Sequence, residues 1–356
     1  MHRVSIIIPS FNTGTYLRDC ISSIREHAIG VEAEVIIVDD GSTDETSIRV
    51  IGELDSEPDL KIIRHGTNLG VQVARNTGLK AATGEFVVCM DGDDVLLPIS
   101  GHESFLAEAA RILSESHDVA FVHTLASMFG DFQGLTISSY PLSEDMVARK
   151  HHVPTAIVYR RSEILDGLLY VETVRKWQDW AFGVSLLARR WRRNQPSEIG
   201  FIQGPGYGYR IHSTTARISR TEVSEYDAAR VVVELYQDYF ISKFPHVAND
   251  IDALTAAVVA SKPTPLEDLL FVASFDLNLA LSMARGREYE DEFVLASEKN
   301  NSSLPAMARG RVGEDVSDGR EGDEADEDDS YVEAVDEADE EDDGLYEGYI
   351  GNPGHG

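Results

Sequence analysis

The chain of 356 residues is 42% hydrophobic and carries a formal charge of −31, enough length for one large α/β body with additions or for two domains, and enough apolar material for a core. Phosphate backbones require clustered Lys and Arg, so this charge excludes nucleic acid as a partner. No apolar run reaches the roughly 18 residues of a membrane span, and MHRVSIIIPSF has neither the apolar segment nor the cleavage site of a signal peptide, which predicts a cytoplasmic protein with no transmembrane segment.

VSIIIP at 4–9 reads as a strand ended by Pro9, after which Tyr16, Leu17, Cys20, Ile21 and Ile24 recur on one helical face. EVIIVDD at 34–40 is a second strand, followed by GSTDET, where Ser42 or Thr43 is predicted to cap a helix running to about Leu54. LKIIR at 60–64 gives a third strand, and GTNLGVQVARNTGLKAATG a glycine-marked loop and a short helix before a fourth strand at 86–90. This alternation predicts a parallel α/β sheet. Cys20 and Cys89, the only cysteines, sit inside apolar patterns and are predicted to be buried thiols.

Beyond Pro98 the pattern loosens to a helix near 102–115, a strand at 118–123 and a short apolar run at 155–159. A helical stretch lies within VETVRKWQDWAFGVSLLARRWR, and residues 223–243 and 266–285 read as two further helices. Nineteen acidic and two basic residues fall from Arg311 onward, and the composition from about Asn300 predicts a solvated, disordered acidic tail.

EFVVCMDGDDVLLP at 85–98 runs an apolar strand into Asp91, Asp93 and Asp94 at its C-terminal end, the edge where open α/β sheets bind ligands. Two carboxylates one residue apart can share a hard cation such as Mg²⁺ or Mn²⁺ that keeps positions open for diphosphate oxygens. On spacing alone a solvated turn stands beside that reading. VVCMDGDDV also fits the Asp-x-Asp-x-Val string of aspartyl-phosphate phosphatases, although the remaining acidic loop such an enzyme needs is matched only by GEDVSD at 313–318, within the tail. DDGSTDE at 39–45 resembles the start of a calcium loop but has Glu45 where glycine is required.

Three collinear blocks over about 95 residues, VSIIIPSFNTGTYLRDCISSI, EVIIVDDGSTDET and NLGVQVARNTGLKAATGEFVVCMDGDDVLLP, resemble the N-terminal half of inverting family-2 glycosyltransferases. The resemblance implies a GT-A, Rossmann-like α/β fold with a mostly parallel sheet flanked by helices. It places the nucleotide of a nucleoside-diphosphate sugar, UDP-linked by expectation, against Pro9, Phe11, Asp39 and Asp40, with Asp40 as reader of the base. Asn68, Gly70, Arg75 and Asn76 would close over this donor, and Arg75 could pair with the diphosphate or with the acids. Asp91 would contact ribose or sugar, Asp93 would hold Mn²⁺ or Mg²⁺, and Asp94 would support it or act as a second ligand.

The family places its general base in a Glu-Asp pair at the start of a helix; here KWQDWAFGVSLL at 176–187 has Gln178 in place of the Glu, leaving Asp179 as the expected base. Trp177 and Trp180 could stack on sugars or fill the core. GYGYRIHSTTARISR at 206–220 resembles the family's Tyr-Arg-x-His segment, which implies that His212 completes the metal shell or touches the diphosphate and that Arg210, Arg217 or Arg220 holds phosphate. The resulting expectation is a GT-A domain over 1–220, a helical accessory region over 221–299 and the tail over 300–356. Its activity would be sugar transfer to a hydroxyl of a glycan, lipid-linked or protein acceptor. A GT-A protein that binds nucleotide or glycan without turnover is the alternative, fed by Gln178.

Overall fold

The computed structural model of the chain describes residues 1–137, 140–212 and 223–301. Strand and helix alternate through β1 (His2–Ser10), α1 (Gly14–His27), β2 (Val31–Asp39), α2 (Glu45–Leu54), β3 (Leu60–Arg64), α3 (Val71–Ala81), β4 (Phe86–Cys89) and the short β5 (Val95–Leu96). There follow α4 (Phe105–Glu115), β6 (Val119–Gly130), β7 (Gly134–Leu135), α5 (Glu144–Ala148), β8 (Val158–Arg160), α6 (Arg161–Leu165), α7 (Gln178–Arg192) and β9 (Glu198–Ile211). The helices α8 (Glu225–Leu235), α9 (Gln237–Lys243), α10 (Ile251–Ala260), α11 (Pro265–Ala273), α12 (Leu277–Ala284) and α13 (Glu290–Asn301) come last. The tail expected from 300 lies, from residue 302 on, outside the described residues, as do Arg217 and Arg220.

Among the described residues the strands form one sheet in the order β3-β2-β1-β4-β8-β6-β9-β5, with β7 beside β6. β1 pairs in parallel with β2 and β4, and β2 with β3. From β4 onward the sheet is mixed: β8 is antiparallel to both β4 and β6, β9 is parallel to β6, and β5 returns antiparallel on β9. Parallel strands are covered on both faces, which is why the sequence reads there as unbroken apolar runs rather than alternation. In β1, Ile6 and Ile8 pack with Leu17, Ile21, Val50 and Leu106 on one face, while Ile7 joins Ala74, Leu79 and Val87 on the other.

Several boundaries differ from the sequence expectation for identifiable reasons. The cap of α2 is Asp44, whose carboxylate accepts from the Ser47 amide at 2.9 Å. Ser42 and Thr43 are instead tied to Asn12, in a left-handed backbone at φ 56°, whose amide donates to Ser42 Oγ and whose Oδ1 accepts from the Thr43 amide. The stretch 223–243 divides at Tyr236 and 266–285 divides at Ser274–Asp276, while α10 was not expected. β9 was hidden by its glycines, which serve close packing: a Cβ at Gly206 would lie 2.8 Å from Phe105 Cβ, and one at Gly208 would lie 2.6 Å from Val95 Cγ2.

The helices after 223 do not stand apart from the rest. Val232, Phe240, Leu254 and Leu269 belong to the same apolar cluster as Trp180, Leu186 and Phe121. His123, midway along β6, is fully buried beside Phe121 and Phe201, and burial pushes its imidazole down from 6.5 to about 3. The unfolded chain takes up this proton below about pH 6.5 and the folded chain does not, so the contribution is whole above 6.5 and is lost as the pH falls toward 3. His123→Leu is therefore expected to flatten the acid limb of stability by roughly 1.4 kcal/mol per pH unit, read from urea midpoints measured between about pH 7 and about pH 5.

Candidate active site

Parallel pairing aligns the C-terminal ends of β1, β2 and β4 at one sheet edge, with Ser10 opposite Asp39 and Ile7 opposite Cys89. β4 stops at Cys89, and the chain turns on a hydrogen bond from the Asp94 amide to the Asp91 carbonyl at 3.1 Å. Asp91, Asp93 and Asp94 are 6%, 3% and 1% exposed, so this is no solvated turn. Burial raises the Asp94 carboxyl well above its ordinary range, and repulsion from Asp93 and Asp91 adds to this against hydrogen bonds from Tyr207 and the Arg210 amide. Burial also raises Asp91, with the Arg75 guanidinium opposing it.

β9 closes one side of the turn. Tyr207 Oη donates to Asp94 Oδ2 at 2.6 Å and receives the Asp91 amide at 3.4 Å, while the Arg210 amide donates to Asp94 Oδ1 at 2.8 Å. Asp94, expected among the metal ligands, thus has both oxygens engaged in fastening β9 to the turn. Arg210 stacks between Tyr16 and Phe129 and donates to the Asp93 carbonyl and to Asp19, rather than standing open for phosphate. His212 Nε2 lies 3.1 Å from Asp93 Oδ2, which brings together two of the expected ligands.

Arg75 closes the other side. It is 1% exposed and donates from Nη2 to Asp91 Oδ1 at 2.8 Å and from Nη1 to Asp179 Oδ1 at 3.0 Å, with its guanidinium 5.0 Å from the Tyr170 ring centre. Of the two expected partners it holds the acids. Thr155 Oγ1 donates to the remaining Asp179 oxygen at 2.9 Å. Asp179 itself occupies the first turn of α7, behind Trp177, whose φ of 63° is rare for so large a side chain. Gln178 turns inward, its amide donating to the Arg175 carbonyl at 3.2 Å. Trp177 and Trp180 are 3% and 2% exposed, and Trp180 donates to the Val147 carbonyl; they belong to the core and offer no sugar platform.

The expected donor loop is built around Asp40. Its Oδ1 accepts from the Leu69 amide at 3.0 Å and sits 2.6 Å from His65 Nδ1, and its Oδ2 accepts from the Gly70 amide at 2.8 Å. This carboxylate shapes the loop, which is a different task from reading a base. Asn68 Oδ1 also accepts from the Gly70 amide, and Gly70 adopts φ 98°, open to glycine alone at little strain. Asn76 latches onto the 170–172 segment through the Tyr170 amide and carbonyl. Asp39 accepts from the Ser42 amide, Pro9 continues β1, and Phe11 is half-buried at its end. Thr155, Tyr170 and Tyr207 escaped sequence reasoning because their partners lie 24 to 116 positions away in the chain; only Tyr207, inside GYGYR, carried a signal.

The mixed sheet flanked by helices, with a buried acidic turn at the C-terminal edge of its parallel strands, has the GT-A fold. Residues 5–127 match the model of the family described as Glycosyl transferase family 2. An uncharacterized glycosyltransferase of Nostoc sp. is 29% identical over 239 residues, covering 64% of this chain and 70% of its own. The poly(ribitol-phosphate) beta-N-acetylglucosaminyltransferase TarS of Staphylococcus aureus is 33% identical over 119 residues, so that the chain spans 20% of TarS. The structure of a TarS segment in complex with UDP-GlcNAc superimposes with a TM-score of 0.53 at 20% identity, covering 83% of this chain and 79% of that one, a likeness of fold.

Removing one partner of a buried charge pair strands the other. Arg75→Met leaves both Asp91 and Asp179 without their cation and is expected to cost roughly 3–5 kcal/mol in urea unfolding, whereas Arg75→Lys should recover part of that loss but not the two-pronged geometry.

Proposed function

We propose that the protein is an inverting glycosyltransferase that moves a sugar from a nucleoside-diphosphate donor, UDP-linked, to an acceptor hydroxyl in one displacement. The observation that carries this reading is the Arg75 bridge, which joins the donor-side Asp91 to Asp179 across two elements and supports a base set beside the donor. Asp179 accepts the proton of the attacking hydroxyl. Arg75 and Thr155 hold its two oxygens so that the free lone pairs have a fixed direction. One displacement needs no covalent sugar–enzyme intermediate.

The chemistry of the turn fits a divalent cation. Three buried carboxylates concentrate negative charge, and burial with mutual repulsion raises Asp91 and Asp94. Among the described residues no three His, Cys, Asp or Glu side chains converge on one point, which suits an ion taking most of its ligands from diphosphate and water. Asp93 and His212 would hold Mn²⁺ or Mg²⁺, with Asp94 bracing the turn. When bound, the ion supplies positive charge to the leaving diphosphate. Asp39, Pro9 and Phe11 line the nucleoside, and Asp40 with Asn68 and Gly70 shapes the loop beside it.

No described helix is long and apolar enough to cross a membrane, and we place the reaction in the cytoplasm, catalysed by residues 1–220 with 221–299 as an accessory region. Asp93→Asn is expected to abolish Mn²⁺-dependent UDP binding in calorimetry; unchanged metal-dependent affinity would remove Asp93 as a ligand. Asp179→Asn is expected to lower transfer by about 10²–10⁴-fold while donor affinity changes by less than about tenfold, and undiminished turnover would exclude Asp179 as the base.

A further inference from the structure

GTNLG at 66–70, between β3 and α3, is the loop expected to close over the donor, and little in its own chemistry holds it. Gly66, Thr67 and Leu69 are exposed, and a Cβ at Gly66 would meet nothing within 4 Å. Inside the loop Asn68 Oδ1 accepts from the Gly70 amide at 3.0 Å. Two outside contacts oppose the slack. Gly41, at φ 74°, brings the end of β2 so near that a Cβ there would lie 2.6 Å from the Thr67 carbonyl carbon. The other is Asp40, whose carboxylate receives the Leu69 and Gly70 amides at 3.0 and 2.8 Å.

Asp40 is in turn aimed by His65. The His65 side chain is 10% exposed, its backbone amide donates to the Asp39 carbonyl at 2.8 Å, and its Nδ1 stands 2.6 Å from Asp40 Oδ1. An ionised carboxylate only accepts, so Nδ1 carries the hydrogen. In the neutral imidazole Nε2 then accepts from Thr77 Oγ1, 3.0 Å away. A threonine inside a helix has a carbonyl of the preceding turn as its local partner; the Thr77 hydroxyl meets His65 instead.

Thr77 lies in α3 two positions after Arg75, whose guanidinium holds Asp91 and Asp179. The imidazole therefore joins the anchor of the loop to the helix that carries the acid bridge, and a shift of that anchor against α3 breaks at least one of its two hydrogen bonds. A loop with glycine at both ends has much backbone freedom to lose when a ligand orders it. Ordering it beforehand removes that cost from binding.

We propose that His65 is the positioning residue of the donor loop, setting residues 66–70 for a nucleoside diphosphate by holding Asp40 against α3 through Thr77. The nucleotide rests on the donor reading given above, whereas the ordering of the loop does not. The first arm of the test is hydrogen exchange on the full chain without ligand. His65→Leu removes both side-chain hydrogen bonds, Thr77→Val only the second, and His65→Asn keeps a donor for Asp40. Exchange of the Leu69 and Gly70 amides is expected to quicken at least about tenfold in His65→Leu, less in Thr77→Val and least in His65→Asn, with β6 unchanged in all three. Unchanged exchange at Leu69 and Gly70 in His65→Leu overturns the proposal, and Thr77→Val, which keeps the side-chain shape, decides in the same way if His65→Leu does not fold.

In the second arm UDP is titrated with Mn²⁺ by calorimetry. Affinity is expected to fall at least about tenfold in His65→Leu and less than about threefold in His65→Asn, while kcat at saturating UDP-sugar stays within about threefold of the unaltered enzyme. Unchanged UDP affinity beside quickened exchange overturns the assignment to the donor, as does a loss confined to kcat. An unaltered protein that binds no UDP, with the exchange arm as expected, counts against the donor reading and leaves the ordering of the loop by His65 standing.

Discussion

The site is organised by one guanidinium. Arg75 comes from a helix between the third and fourth strands, Asp91 from a strand end, and Asp179 from a helix more than a hundred positions later, and the cation touches both acids at hydrogen-bonding distance. At 1% exposure the guanidinium is removed only at high cost, because a buried charge lacking its partner costs several kcal/mol. The fold therefore fixes the distance between the acidic turn and the helix that bears Asp179 through electrostatics. Tyr170, under the same guanidinium, and Asn76, bound to the backbone on either side of it, hold the intervening segment in place.

The second fastening is β9. Its Tyr207 and Arg210 serve the acidic turn from the side opposite Arg75, and its glycines admit Phe105 and Val95 where side chains would collide. The turn is thus clamped between two elements that meet it from far away in the chain. This explains how three carboxylates stay in a tight, buried turn despite their repulsion: the hydroxyl, the backbone amides and the guanidinium supply donors that water would otherwise provide.

Much of the first half was legible because parallel strands buried on both faces leave unbroken apolar runs, and β1 to β4 stand where those runs fall. The acidic turn was legible only with the family resemblance, since on spacing alone three acids at the end of such a run read equally as a solvated turn. What escaped notice has a common cause. Asp94 and Asp40 read as ligand contacts but spend their oxygens on Tyr207, Arg210, Leu69 and Gly70, and no local pattern distinguishes a carboxylate facing a ligand from one facing a backbone amide. β9 lost its apolar signature to glycine, and Thr155 is an unremarked threonine until Asp179 is placed beside it. The tryptophans flanking Asp179 show the converse, since aromatic residues near an expected base can still be core.

The packing of α7 carries a further consequence. Trp180 and Leu186 share a cluster with Phe240, Leu254 and Leu269 from helices that follow the sheet, so the element presenting Asp179 is insulated from water by the C-terminal part of the chain. Hydrogen exchange in α7 and in α8–α9 should consequently proceed as one cooperative event. For diversification within such a lineage, this makes the trailing helices co-inherited freight: a graft that exchanged them would also disturb the setting of Asp179.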